Sequence, residues 1–192
     1  MVRANLTPAA VIAAAADLAD REGFDAITLS ALARRFGVQT ASLYSHVRDR
    51  SALLDSVHEL ALGELADRIA IAIGGLSGRD ALIALANAHR DYARQFPGRW
   101  AALQRPAAPS TVQSEAAGRV AALTLAMLRG YRLPETELVH ATRLLGATIN
   151  GFLALEASGS IAHREPPTEL SWQRALDALD TVFRSWPTEG NP

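Results

Sequence analysis

Residues 28–46 read TLSALARRFGVQTASLYSH, and this stretch decides the fold. Apolar residues recur at helical spacing on both sides of Gly37, which predicts two short helices. Thr28 is a good N-terminal cap for the first of them. Gly37 supplies the backbone freedom for a tight turn between two helices that cross steeply. Together with a preceding helix that begins at Pro8 and ends at Gly23, the pattern predicts a helix-turn-helix.

The second short helix, predicted over Val38 to His46, combines an apolar face with small polar side chains. Such side chains can reach base edges in the major groove while the other face packs inside. Hydroxyl and cationic groups follow at its end, where they can meet phosphate oxygens. The sequence therefore predicts a DNA-reading surface made of Gln39, Thr40, Ala41, Ser42, Ser45, Tyr44, His46, Arg48 and Arg50.

The remainder of the chain also has helical periodicity, and no run shows sustained strand alternation. Valine, isoleucine and aromatic residues are sparse beside alanine and leucine, which favours helix. We therefore predict an all-α fold. Further helices are expected at residues 49–73, 80–96, 110–129, 134–158 and 171–185.

Composition excludes several functions. The formal net charge of the 192 residues is −1, so binding to DNA must come from a local surface. The absence of cysteine excludes disulfides, thiolate metal sites and cysteine nucleophiles. No segment is expected to reach the roughly 18–20 apolar residues of a membrane span, which predicts a soluble, cytoplasmic protein. Catalytic motifs and histidines at metal-ligand spacing are missing, so no enzyme, cofactor or metal site is predicted.

Residues 23–38 (GFDAITLSALARRFGV) and 43–54 (LYSHVRDRSALL) resemble the DNA-binding domain of the TetR family. The resemblance covers residues 7–57 and combines several fixed spacings. It implies a three-helix DNA-binding domain at residues 1–52 and a helical regulatory domain, for effector binding and dimerisation, at residues 53–192.

The same resemblance assigns roles to single residues. It implies that Thr28 caps the second helix and donates to a phosphate. Bases would be met by Ser30, Thr40 and Ala41, and phosphates by Tyr44, His46 and Arg50. Ser30 and Ala41 depart from the family's prototype, which has arginine and proline at these positions, so its operator sequence does not carry over to this chain.

The last predicted helix carries a heptad seam formed by Trp172, Leu176, Leu179, Phe183 and Trp186. Such a seam is typical of a helix that packs lengthwise against others. The TetR resemblance implies that residues 134–158 and 171–186 pair with the same segments of a second subunit. A homodimer also suits a single short recognition helix, which makes few contacts alone, on a palindromic double-stranded operator. The alternative is that the apolar faces of both segments, residues 134–158 and 171–186, are buried inside one subunit.

The regulatory part resembles the WHG type of the TetR family at residues 92–98 (YARQFPG) and 155–159 (LEASG). The tryptophan and His-Gly of that type correspond here to Gly146 and Asn150-Gly151. An apolar cavity with a few polar groups is the usual design for a small ligand. Candidates to line it are His89, Tyr92, Trp100, Leu123, Met127, Arg143 and Asn150. For each of them, ordinary core packing or surface solvation is the alternative.

Taken together, these features predict a sequence-specific transcriptional regulator, a repressor that a small and largely apolar effector releases from its operator. The alternative is a helical protein-interaction module without effector binding. Such a module would show no salt-dependent binding to DNA, whereas a regulator must.

Overall fold

A computed structural model describes residues 6–186, and every regular element in that range is helical. The predicted all-α fold is confirmed for these residues. The α-helices are α1 (Pro8–Glu22), α2 (Leu29–Phe36), α3 (Arg50–Ile73), α4 (Gly78–Gln95), α5 (Pro97–Leu103), α6 (Pro109–Val112), α7 (Glu115–Arg129), α8 (Leu138–Ala157) and α9 (Thr168–Arg184). Short 3₁₀ helices lie at Phe24–Ala26, Thr40–Ser45 and Glu135–Glu137.

The chain divides into two compact units. The first unit comprises the described residues up to Glu64 together with Gln95–Arg119, and the second comprises Leu65–Arg94 and the described residues from Val120 onward. This division rests on packing alone. The functional division at residues 52 and 53 therefore stays a prediction.

The first unit is built around α1, α2 and the start of α3, and α5 packs against α1. The side chains that helical spacing predicts to face inward meet in one apolar core, and Ala102 of α5 joins them. This core holds the predicted helix-turn-helix together. Its fully buried members include Val11, Ile27, Leu32, Leu43, Leu53 and Val57.

In the second unit, α8 packs against α9, and a buried arginine of α4 binds both helices. The Arg90 guanidinium donates to both carboxylate oxygens of Glu156 on α8, at 2.6 and 3.0 Å, and to Glu169 on α9 at 2.8 Å. The guanidinium carbon of Arg90, Cζ, also lies 5.1 Å from the centroid of the Trp172 ring. Arg90 thereby ties α4, α8 and α9 together through paired charges rather than through apolar packing alone.

The heptad seam of α9 points into the protomer, so the alternative that this stripe buries inside one subunit holds for these side chains. Trp172, Leu176, Leu179 and Phe183 are each at most 5% exposed. Trp186 is half-buried, and its indole N–H donates to Glu137 at 2.9 Å. Heptad spacing identifies a helix face that packs lengthwise, but it does not say whether the partner lies in the same chain.

The expectation that no segment is long and apolar enough to cross a membrane is wrong. Glu135–Ala157, which includes α8, meets that requirement by length and composition, with a mean hydropathy of 1.2. One such helix is weak evidence for a membrane span. Only 28% of the most apolar window is buried inside the protomer, and Val139, Leu144 and Leu155 are exposed large apolar side chains on this helix.

Residues 110–129, predicted as one helix, form two. α6 begins at Pro109 and ends at Val112, and α7 starts at Glu115. The Ser114 hydroxyl oxygen accepts a hydrogen bond from the Ala117 N–H at 3.2 Å and so caps α7. The sequence contains this capping signal, but the apolar periodicity on both sides masks it.

Candidate nucleic-acid interface

The entry to α2 is fixed by Thr28. Its hydroxyl oxygen accepts a hydrogen bond from the Ala31 N–H at 3.1 Å, as predicted for an N-terminal cap. The Thr28 and Ser30 side chains are both exposed, and the Thr28 O–H can still donate outward. This end of α2 thus presents two hydroxyl groups where backbone N–H groups and the helix dipole attract a phosphate.

The turn after α2 is closed by Gly37, which adopts the left-handed conformation at φ 66°. Its N–H donates to the Arg34 carbonyl at 3.2 Å, and the Val38 N–H donates to the Ala33 carbonyl at 3.0 Å. These bonds satisfy the last carbonyls of α2 and redirect the chain at once. The predicted glycine turn is present, and its φ value would strain any other residue.

The recognition element is a 3₁₀ helix over Thr40–Ser45, shorter and tighter than the α-helix predicted from Val38 to His46. Leu43 is fully buried and Val47 is 8% exposed, so these two residues anchor the element on the core of the first unit. A 3₁₀ helix has three residues per turn, and an anchor at one position leaves the neighbouring positions facing outward.

The outward positions carry most of the side chains predicted to read DNA. The side chains of Gln39, Ala41, Ser42, Tyr44 and Ser45 are exposed, whereas those of Thr40 and His46 are half-buried. The Ser45 hydroxyl donates to the Ser42 carbonyl at 2.8 Å, so its proton is already used. The structure therefore brings this predicted set together on one short, exposed element.

The two arginines after the recognition element differ in their surroundings. Arg48 forms an ion pair with Asp49 at 2.8 Å. The pKa of the Asp49 carboxyl is lowered, first by the hydrogen bond from the Ala52 N–H and then by the one from Arg48. The Arg50 Nε donates instead to the Ile27 carbonyl at 2.7 Å. This bond ties the start of α3 to the link before α2, and the exposed guanidinium of Arg50 has further N–H groups for a phosphate.

One cation of this surface was not among the predicted residues. Arg34 is exposed and lies four residues after Ser30, one helical turn further along α2. Its neighbour Arg35 pairs with Asp17 at 3.3 Å, whereas no ion pair joins Arg34 to the described residues. The adjacent arginines of α2 were the sequence signal that could have identified it.

Two of the seven residues predicted to line an effector pocket line one cavity, and the other five do not line it. Trp100 belongs to α5 of the first unit and is 7% exposed, while the other six belong to the second unit. Tyr92 and Met127 are buried core residues, and Arg143 is exposed on α8. Leu123 is half-buried on α7. None of these five lines the cavity described next.

The remaining two, His89 and Asn150, line one cavity of about 160 Å³ in the second unit, between α4, α7 and α8. The His89 Nδ1 lies 2.8 Å from the Leu85 carbonyl, which can only accept, so Nδ1 carries a proton. Burial lowers the pKa of His89, and its ring is therefore neutral at pH 7. The other lining residues are Leu85, Val120, Thr124, Thr142, Leu145, Gly146 and Ile149.

Acidic residues and histidines do not cluster in groups of three or more within residues 6–186 in a way that could hold a metal ion. The described part of the chain offers an exposed surface on the helix-turn-helix and, in the second unit, a partly open cavity whose lining contains no aspartate, glutamate, lysine or arginine. Hydroxyl, amide and guanidinium groups on a short projecting element can donate to phosphates and to base edges.

Two family models match this chain. The model for bacterial regulatory proteins of the TetR family matches residues 11–57, and the model for the tetracyclin repressor-like C-terminal domain matches residues 82–179. The first match covers the helix-turn-helix described above. The second covers about half of the chain.

Known proteins of similar sequence and structure agree with these matches. The uncharacterized HTH-type transcriptional regulator Rv0681 of Mycobacterium tuberculosis is 31% identical over 158 residues, which are 81% of this chain and 72% of that protein. A minocycline complex of a TetR variant from Acinetobacter baumannii has a TM-score of 0.71 and 27% identity, over 94% of this chain and 98% of that one. BioQ with its double-stranded DNA operator has a TM-score of 0.73 and 22% identity, over 94% and 99%.

The fold and its exposed recognition element define a helix-turn-helix transcription factor rather than an enzyme. The chain belongs to the TetR family of DNA-binding transcriptional regulators.

Proposed function

We propose that this regulator is a homodimeric repressor, which reads a palindromic operator with residues 1–52 and responds to a small molecule through residues 53–192. The observation that carries the proposal is the recognition element itself. Its polar side chains are exposed while Leu43 and Val47 hold it on the core.

In this proposal the exposed surface has two parts. Ser30, Gln39, Thr40, Ala41 and Ser42 meet base edges in the major groove, where the Ala41 methyl can contact a thymine methyl and the Thr40 hydroxyl can bond a base. Phosphates are bound by Thr28, Tyr44, His46 and Arg50, and we add Arg34 to this set. BioQ, a protein of the same fold, has been solved with its DNA operator, which supports this use of the surface.

Two subunits are proposed to meet through α8 and α9, which lie within the predicted segments 134–158 and 171–186. The faces that point away from the core carry small and apolar residues and few charges. On α8 and α9 these exposed residues include Leu144, Ala147, Gly151, Leu155, Ala178 and Val182. A second copy of the chain would cover the apolar surface of α8 that one protomer leaves open, and would place two recognition elements on one operator.

Release from DNA is proposed to follow when an effector binds the arrangement of the dimer that does not fit the operator. A ligand can shift an equilibrium only by its difference in affinity for the two states. The similar TetR variant from Acinetobacter baumannii binds minocycline, which supports a ligand-responsive domain here. Because operator DNA in a bacterium lies in the cytoplasm, the proposal places the protein there.

The test begins with a selection of bound fragments from genomic DNA. Affinity for an enriched fragment is then measured at several salt concentrations. The binding constant falls as salt rises, and each lost phosphate contact makes the slope of log K against log salt less steep by about one. Arg34→Ala and Arg50→Ala should each make that slope less steep. Arg34→Ala is the more specific test of a phosphate contact, because Arg50 also binds the Ile27 carbonyl.

Arg164→Ala, in the exposed loop before α9, is the matched control and should keep the slope of the wild type. The proposal is contradicted if no fragment is enriched, or if both test variants keep the wild-type slope.

A further inference from the structure

The recognition element has three faces, because side chains of a 3₁₀ helix repeat every three residues. The pattern begins at Gln39, whose carbonyl accepts a hydrogen bond from the Ser42 N–H at 2.9 Å. The face of Leu43 lies on the core, and Thr40 and His46, three residues to either side, are half-buried with it. The two remaining faces are exposed and carry Gln39, Ser42 and Ser45 on one and Ala41 and Tyr44 on the other.

Both exposed faces lack the side chains that read a G·C pair. No arginine, lysine, aspartate or glutamate occurs from Gln39 to Ser45. Guanine is read most often by an arginine or lysine that donates to O6 and N7, and cytosine by a carboxylate that accepts from N4. The hydroxyl groups of serine and threonine can bond to any of the bases and therefore discriminate little between them.

The side chains that the two faces do carry match A·T pairs. A glutamine carboxamide can bond to adenine twice, because it donates to N7 and accepts from N6. The Gln39 side chain is exposed and makes no capping hydrogen bond to the element it precedes. Ala41 presents a methyl group on the adjoining face, and thymine is the base with a methyl group in the major groove.

The spacing of these two side chains suits neighbouring base pairs. A 3₁₀ helix rises about 2.0 Å per residue, so Gln39 and Ala41 lie about 4 Å apart along the element. Stacked base pairs are about 3.4 Å apart. One side chain can therefore meet an adenine while the other meets a thymine of the next pair.

We propose that each half-site of the operator contains two consecutive A·T pairs, in which Gln39 bonds to N6 and N7 of an adenine and the Ala41 methyl contacts a thymine methyl. The recognition element bonds to no guanine through N7. The inference rests on the proposed operator binding. It adds the class of base pair that the element reads, and it makes Gln39 a residue that determines specificity.

Base analogues in a selected operator test the proposal without any change in the protein. 7-Deazaadenine and 7-deazaguanine lack N7, and uracil is thymine without its methyl group. Fluorescence anisotropy measures the affinity of the wild type for operators that carry one analogue at each position of a half-site in turn. At one adenine, 7-deazaadenine should weaken binding about three- to tenfold, the value of one hydrogen bond. At one thymine of a neighbouring pair, uracil should weaken binding about fourfold, the value of one buried methyl group. At every guanine, 7-deazaguanine should leave the affinity within about twofold.

Two variants assign each effect to its side chain. Gln39→Ala should bind the unmodified operator at least about fivefold more weakly. It should show no further loss with 7-deazaadenine, because the bond that this analogue removes is already gone. Ala41→Gly should lose the sensitivity to uracil in the same way. Gln113→Ala, at an exposed glutamine directly after α6, is the matched control and should respond to both analogues like the wild type.

The inference is overturned if 7-deazaadenine or uracil has no effect at any position, or if Gln39→Ala keeps the full sensitivity to 7-deazaadenine. It is also overturned if 7-deazaguanine at one guanine weakens the wild type about tenfold, as the loss of a direct guanine contact would. In each of these cases the operator is still bound, so the proposed function stands while the inference fails. A selection that enriches no fragment overturns the proposed function itself.

Discussion

Gly98, the second residue of α5, lies against the backbone of α1 in the first unit. A Cβ added at this position would lie 2.1 Å from the Ala19 carbonyl carbon, 2.3 Å from its oxygen and 2.4 Å from the Asp20 nitrogen. Ordinary contacts begin at 3.4 Å. Because all three atoms belong to the backbone, none can rotate aside, and Gly98→Ala must push α5 away from α1 by on the order of 1 Å.

That displacement disrupts the polar contacts next to Gly98. The Arg99 N–H donates to Asp20 at 2.9 Å, and its guanidinium donates to Asp17 at 2.8 Å. Breaking a buried ion pair costs about 3–5 kcal/mol. The Arg99 side chain is 10% exposed but that of Asp17 is 45% exposed, so solvent screening reduces the value. We expect Gly98→Ala to lower the free energy of unfolding by about 3 kcal/mol, with overpacking included.

Urea unfolding followed by circular dichroism measures this loss. Gly118→Ala is the matched control: it adds the same methyl group at an exposed helical position where nothing lies within 4 Å. Alanine is the better helix former, so the control should be more stable than the wild type by about 0.5–1 kcal/mol. A free energy of unfolding of Gly98→Ala within about 0.5 kcal/mol of the wild-type value would mean that α5 does not pack closely against the α1 backbone at Gly98.

Three further outcomes are expected. Ala178→Glu, on the exposed face of α9, should give a folded monomer in sedimentation. Leu179→Glu, one residue further and 5% exposed, should unfold or aggregate the chain, because its charge would be buried. A folded monomer from Leu179→Glu would contradict the orientation of α9. Gly37→Ala should destabilise by about 1 kcal/mol in thermal unfolding, because φ is 66° there; unchanged stability would count against the left-handed turn. Glu156→Gln should destabilise by about 2 kcal/mol at pH 7, since the hydrogen bond from Arg90 lowers the pKa of Glu156. A lowered pKa adds stability above the unfolded value of 4.5 that is lost as pH falls through the folded value, so the difference in urea midpoints should vanish in acid; a pH-independent difference would refute the ion pair.

The sequence predicts the helix-turn-helix well because its signals are local. The Thr28 cap, the Gly37 turn and the burial of Leu43 each depend on residues within one turn of the chain, and all three are found in the structure. The 3₁₀ form of the recognition element was not predicted, because apolar spacing over a six-residue segment does not separate a 3₁₀ helix from an α-helix.

The second unit was harder to predict because its features depend on contacts between distant segments. The α9 seam was recognised by its spacing, but only the fold places it inside the protomer. The cavity contains two of the seven predicted residues, His89 and Asn150.

If the Thr40–Ser45 element reads bases, Thr40→Ala should reduce the discrimination between base pairs. The measurement is fluorescence anisotropy of wild type and variant with a selected operator and with each of its single-base-pair changes. The variant should lose on the order of 1–3 kcal/mol of discrimination at one base pair of each half-site and keep it elsewhere. Thr136→Ala, at an exposed threonine of the Glu135–Glu137 turn, should match the wild type throughout. Full discrimination at every base pair in the Thr40→Ala protein would mean that Thr40 does not read a base.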